Sequence, residues 1–133
     1  MFPVHPNPSV RAAAEAELAG SDRVHRISPL GYADFIHLLS RAWLIASDSG
    51  GIQEEAPTLG KPVLILRDTT ERPETIECGV GRLVGHDGER FASMLEAAYD
   101  DVAWCEQAKS AVNPFGSGDA GKRIALALRD RLQ

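Results

Sequence analysis

Two short runs in the chain are apolar at every position, WLIA at residues 43–46 and VLIL at residues 63–66. A strand with one wet face alternates apolar and polar side chains, so unbroken runs of this length predict strands covered on both faces, as in a parallel sheet. Around them the period changes. YADFIHLLSR, residues 32–41, places Phe35, Ile36, Leu38 and Leu39 at helical spacing, and residues 89–99, 102–112 and 120–132 carry Ala, Leu and Met on repeating faces. VRAAAEAEL, residues 10–18, is Ala-rich, with Ser9 placed to cap its start and Gly20 to follow its end. Residues 2–5, 23–27 and 82–84 are short strand candidates. Helical and strand-like segments in alternation predict an α/β fold, a Rossmann-like parallel sheet with flanking helices.

Composition narrows what such a fold would do. A chain of 133 residues, 44% hydrophobic and 25% charged, has the size of one globular domain with a core of its own, so one domain over residues 1–133 is expected. Fourteen basic against nineteen acidic residues give a net charge of −5, and no block of Lys or Arg could follow a phosphate backbone. Nucleic acid is therefore not an expected partner. The first residues, MFPVHPNPSV, show neither a basic leader nor an apolar signal region, and no segment approaches the roughly 18 apolar residues of a membrane span. These features predict a soluble, cytoplasmic chain with no membrane contact. Cys78 and Cys105 lie far apart, without CxxC spacing or clustered histidine, and are read as reduced thiols rather than a zinc or redox pair.

The candidate chemistry sits in SDSGGIQEEAPTLGKPVLILRDTTERPE, residues 47–74. A buried strand runs into Ser49-Gly50-Gly51 and then into a helix expected to begin near Ile52, so the glycines stand where strand becomes helix. Free backbone N–H groups and the positive end of the helix dipole point into such a turn, and residues without Cβ let a diphosphate approach the backbone. The competing reading is a turn whose glycines only supply positive φ, with Asp48 or Ser49 as an ordinary cap. One turn into the helix, Glu54 or Glu55 could accept ribose hydroxyls, or could simply complement the dipole. Pro57 deletes the helical bond to the Gln53 carbonyl and is expected to kink or shorten the helix. The segment RDTTERPE, residues 67–74, reads as a second loop at the same end of the sheet. Arg67 and Arg72 are placed there to meet a diphosphate, or to be solvated surface charges.

These same residues carry a resemblance. The 47–74 segment, the preceding AWLIA, the following GRLVG, the upstream PVHPNPSVR and NPFGSGDAGKRI near the end together resemble the C-terminal domain of the non-hydrolysing UDP-N-acetylglucosamine 2-epimerases. The resemblance implies one half of a glycosyltransferase-B type fold with UDP-sugar in the cleft between two Rossmann-like domains. It implies that Ser49, Gly50 and Gly51 hold the diphosphate, Glu55 the ribose hydroxyls, Arg72 the phosphates, and Phe35 the uracil through its backbone. His5 would face the cleft, where some bacterial members bind a second UDP-GlcNAc as an effector; read without the family, a histidine beside prolines is structural. The partner implied is UDP or UDP-GlcNAc, with no metal or nicotinamide cofactor.

The family's reaction eliminates UDP from C1 to leave a 2-acetamidoglucal and adds it back on the other face, giving UDP-ManNAc. Here the chain departs from the pattern. The family's acids and bases belong mostly to the N-terminal domain and to a His-Arg-Arg-Glu-Asn segment on the first strand of the C-terminal domain, and neither is in this sequence. His25, His37 and His86 have no partner at motif spacing and receive no catalytic role. The expectation is a UDP-binding half that is inactive alone; the alternatives are a free-standing UDP-sugar binding module, a remnant acting on another UDP-sugar, and a fragment with no ligand. Counted against the strand order 3-2-1-4-5-6, the strands are the second to the sixth, with the first, central strand missing. The empty slot predicts either that residues 2–5 move beside residues 43–46 or, preferred here, that copies of the chain associate into a homo-oligomer.

Overall fold

The computed structural model describes residues 1–132. The chain divides into two compact units, Met1–Leu38 and Leu39–Gln133. In the first, β1 (Phe2–Pro3) and β2 (Arg26–Ile27) pair in parallel, with Phe2 opposite Arg26. Between them lies α1 (Pro8–Leu18). Its cap is Asn7 rather than Ser9: the Asn7 side chain accepts from Ser9 N at 3.0 Å, and Pro8 takes the first helical position, where a missing N–H costs nothing. The helix α2 (Tyr32–Arg41) has the expected limits and buries Leu39.

The second unit contains a three-stranded parallel sheet of order β3 (Ile45–Ser47), β4 (Val63–Ile65), β5 (Gly81–Leu83). Its register is even, Ile45 opposite Val63 and Val63 opposite Gly81. Each step passes through a crossover: α3 (Gly50–Leu59) between β3 and β4, and α4 (Pro73–Glu77) between β4 and β5. The remaining helices are α5 (Gly88–Asp100), α6 (Val102–Ser110) and α7 (Ala120–Leu132). Parallel sheets with flanking helices are what the apolar runs predicted. The strand pairings are those of second with third and of fourth, fifth and sixth. β1 has β2 as its partner within the first unit.

The central strand confirms one burial expectation and its neighbour corrects another. Val63, Leu64 and Ile65 are fully buried. In the WLIA run, Ile45 is buried, but Ala46 is exposed and Trp43 is 51% exposed, meeting the Tyr99 ring edge-on at 6.1 Å. Among the described strands β3 pairs only with β4, so a run apolar enough for two covered faces has less cover than it needs. The core gathers Leu64, Val84, Ala98 and Trp104, with Phe91, Met94 and Leu95 packed against it.

Candidate functional site

The carboxyl ends of β3, β4 and β5 are the end at which open parallel sheets take ligands. A cavity of about 340 Å³ lies there, lined by Asp48, Leu66, Arg67, Asp68, Thr69, Glu71 and His86, all from segments that follow the three strands. Helix α3 starts in this region, at Gly50 rather than near Ile52, with Ser49 as its extended cap residue. The Ser49 side chain makes no capping bond, while Ser49 N donates to Ser47 Oγ at 3.1 Å. The first turn of a ten-residue helix thus opens on Gly50 and Gly51 with its N–H groups uncapped by Ser49.

Gly50 lies beside an acidic side chain. A Cβ built on it would lie 2.9 Å from Glu71 Oε1, so the tip of that flexible side chain would have to shift, whereas one on Gly51 would meet only Ser49 Oγ at 3.8 Å. Neither glycine has positive φ. The φ angles remove the reading of these glycines as positive-φ turn residues, and Gly50 stands apart only by the Glu71 carboxylate beside it.

Two arginines follow β4, each tied to a glutamate, and Arg67 lines the cavity. Arg67 Nη1 donates to Glu71 Oε2 at 2.6 Å, and Arg72 Nε pairs with Glu54 Oε1. Arg72 Nη1 also reaches the Glu71 carbonyl at 3.2 Å, so its contacts use two of the five donors a guanidinium carries. Its guanidinium is held even more firmly protonated than usual, chiefly by the hydrogen bond to Glu54. The Glu71 carboxyl is pulled below its ordinary value, first by a bond from its own backbone and then by the Arg67 charge against the opposing effect of burial. Glu55, next to Glu54 on α3, is half-buried.

Sequence reasoning missed the network that fixes the Arg72 loop. Gln53 is completely buried on α3. Its Oε1 accepts from the Thr70 hydroxyl, whose oxygen in turn accepts from Arg72 N at 3.0 Å, and its Nε2 donates to Ser49 O at 3.4 Å. Pro57 is buried within α3, which ends two residues later at Leu59; the Gln53 carbonyl left without its helical donor accepts from the buried Thr75 hydroxyl at 3.0 Å. One glutamine thereby joins the Ser49 cap to the Arg72 loop. The available signal was Pro57 four residues after Gln53, which leaves that carbonyl in need of a donor. The 67–74 loop is also shorter than expected, since Pro73 opens α4 at its first position.

Ser49, Gly50, Gly51, Glu55 and Arg72 all belong to the second unit, with Arg67 beside them. Phe35 and His5 belong to the first. Phe35 is half-buried on α2, and its N–H donates to Gly31 O at 2.9 Å, so a ligand contact through that N–H would share a donor already in use. His5 is exposed, and its Nδ1 accepts from Asn7 N at 3.2 Å, an ordering contact just before α1. His86 Nε2 stands 3.7 Å from Asp68 at the cavity rim. Among the described residues no group of three or more His, Cys, Asp or Glu could hold a metal ion, and no helix is long and apolar enough to cross a membrane. Cys78 and Cys105 are free and half-buried.

Known proteins resemble this chain over nearly its whole length. The family description for UDP-N-acetylglucosamine 2-epimerase matches residues 1–129. The UDP-N-acetylglucosamine 2-epimerase of Bacillus subtilis is 48% identical over 128 residues, 96% of this chain and 34% of that protein. A solved UDP-GlcNAc 2-epimerase from Neisseria meningitidis, bound to UDP-GlcNAc, is 43% identical with a TM-score of 0.90 over 96% of this chain and 34% of its own. The co-structure of S. aureus MnaA with UDP is 40% identical, with a TM-score of 0.91 over 98% of this chain and 36% of its own. The chain thus spans about a third of the length of the relatives it matches. At this identity and coverage, the chain belongs to the UDP-N-acetylglucosamine 2-epimerase family.

Proposed function

We propose that this chain supplies the UDP-binding part of a UDP-GlcNAc 2-epimerase, interconverting UDP-GlcNAc and UDP-ManNAc by elimination and re-addition of UDP, and that alone it binds UDP without turnover. The observation that carries the reading is the mouth of α3. There an uncapped helix start, a glycine crowded by an anionic oxygen and two guanidinium groups meet at the carboxyl end of a parallel sheet. The relatives solved with UDP and with UDP-GlcNAc support UDP as the anion.

In this reading Ser49, Gly50 and Gly51 hold the diphosphate, Arg72 adds charge-assisted bonds to it, Glu55 takes the ribose hydroxyls and Phe35 the uracil. UDP is leaving group first and nucleophile second. The helix dipole and Arg72 stabilise the charge that develops on UDP as the C1–O bond breaks, and holding UDP in place makes its return effectively unimolecular. Removing the C2 proton and returning it to the other face need an acid/base pair, which in this reading comes from the N-terminal domain; the cavity's histidine, His86, is exposed and beside Asp68 at the rim.

Calorimetric titration of the chain with UDP, beside UMP and ADP, tests the binding, and proton NMR in deuterated buffer tests turnover. The expected result is UDP affinity lost on Arg72→Ala and no deuterium entering C2 of UDP-GlcNAc. UDP affinity that survives Arg72→Ala combined with Gly51→Asp overturns the phosphate assignment, and steady deuterium incorporation overturns the inactivity. A chain that binds UDP yet gains no turnover when an N-terminal domain is supplied favours the free-standing binding module.

A further inference from the structure

Glu71 has no role in the reading above, yet it occupies the most telling position in the site. Its Oε1 lies beside Gly50 at the start of α3, 2.9 Å from where a Cβ on that residue would stand, and its Oε2 takes the Arg67 guanidinium at 2.6 Å. An anionic oxygen of the chain itself thus stands at the helix start, on a side chain that can move away. The pair is held on the surface, with side-chain exposures of 36% for Arg67 and 50% for Glu71, so it is weakly fastened and free to exchange. Asp48 and Asp68 line the same cavity. An incoming diphosphate would meet three carboxylates there unless one leaves, and Glu71 is the one paired to an arginine that a phosphate could also use.

We propose that Glu71 is an internal stand-in for the ligand's phosphate: it holds the mouth of α3 when UDP is absent and swings out when UDP binds, and Arg67 exchanges its carboxylate for a phosphate oxygen. This rests on the UDP-binding reading and adds to it a competing group and a second phosphate ligand. Glu71 sets how strongly the site selects for a diphosphate, because the ligand must outcompete a carboxylate that is already bound.

Glu71→Gln keeps the shape of the side chain and removes its charge. The 133-residue chain and this variant are titrated with UDP, inorganic pyrophosphate and uridine. The variant is expected to bind UDP about tenfold more tightly, equivalent to roughly 1.4 kcal/mol, to gain similarly for pyrophosphate and to be unchanged for uridine. Glu71→Asp, which draws the carboxylate back from Gly50, should give a smaller gain, and Arg67→Ala a loss. Unchanged or weaker UDP binding by a folded Glu71→Gln chain overturns the proposal while leaving the UDP site standing. Unfolding of that variant overturns it too, since a displaceable side chain is not one the fold depends on. If neither chain binds UDP, the underlying reading fails and the proposal with it.

Discussion

Arginine–carboxylate pairs in two regions of the second unit use the same chemistry under different constraint. Arg82 Nη2 reaches Asp101 Oδ2 at 2.9 Å, its guanidinium lies 3.9 Å over the Trp104 ring, and the other Asp101 oxygen accepts from Trp104 N at 2.9 Å as the cap of α6. Both Asp101 oxygens and one face of the guanidinium are held, the latter by an indole whose N–H is donated to Gly79 O at 2.9 Å. The Arg72–Glu54 and Arg67–Glu71 pairs have no such ring or cap against them; the second lines a cavity, and Arg72 is steadied by the Glu71 carbonyl. Exposure does not separate the two cases, since Arg82 is 40% and Arg72 34% exposed. What separates them is whether an incoming anion could replace the carboxylate. A pair clamped by an aromatic ring and a helix cap serves the fold, and one left open on a cavity serves exchange.

The sharpest break in this comparison comes from the clamp. Trp104→Ala removes a side chain only 2% exposed from the core, and is expected to destabilise the chain by about 3–5 kcal/mol. Urea unfolding measures this, while UDP affinity of the remaining folded chain should be unaltered. On the open side the expectation reverses. A Cβ at Gly51 has room, and a carboxylate in the first turn suits the helix dipole, so Gly51→Asp should keep the melting temperature and weaken UDP binding more than about 100-fold, roughly 2.8 kcal/mol. A smaller loss would show that the diphosphate lies elsewhere.

Thr75→Val tests the joint between fold and site. It leaves the buried Gln53 carbonyl without a donor, at an expected cost of about 1–3 kcal/mol in urea unfolding, and loosens the loop that holds Arg72. The smallest effect concerns acid. The Asp101 carboxyl lies below its ordinary value of 3.8, first through the Trp104 N–H and then through Arg82. A depressed carboxyl stabilises the fold fully above its unfolded value and loses that contribution as pH falls through the folded value. Asp101→Asn should therefore flatten the decline of melting temperature below pH 3.8, as read in a series of thermal scans.

Much of this was legible in the chain. The helix at residues 32–41 was read with its true limits because its apolar spacing decides it locally, and the strand–glycine–helix order placed the mouth of α3. What escaped depended on partners distant in sequence. WLIA reads as doubly buried because apolarity signals a demand for cover and cannot say whether cover is supplied, and Trp43 and Ala46 go without it. DTTERPE reads as pure loop because a five-residue helix is too short for a periodic face. Asn7 displaced Ser9 as a cap because Pro8 serves better as the first helical residue than as the one before. Glu71 beside Gly50 could not be seen at all, as their meeting needs the crossover between β4 and β5 to fold back over the start of α3.

The proline inside α3 carries an implication for how this sequence can vary. Because the Gln53 carbonyl takes its hydrogen bond from Thr75 instead of from residue 57, the two positions are epistatic. A residue with an N–H at position 57 would restore the helical bond and make the hydroxyl at 75 dispensable, whereas with proline in place the hydroxyl is required. The cost of Thr75→Val should accordingly shrink in a Pro57→Ala background, a non-additivity that a double-mutant cycle would read directly. Substitutions at these two sites are then tolerated in one order and penalised in the other: the proline must go before the threonine can.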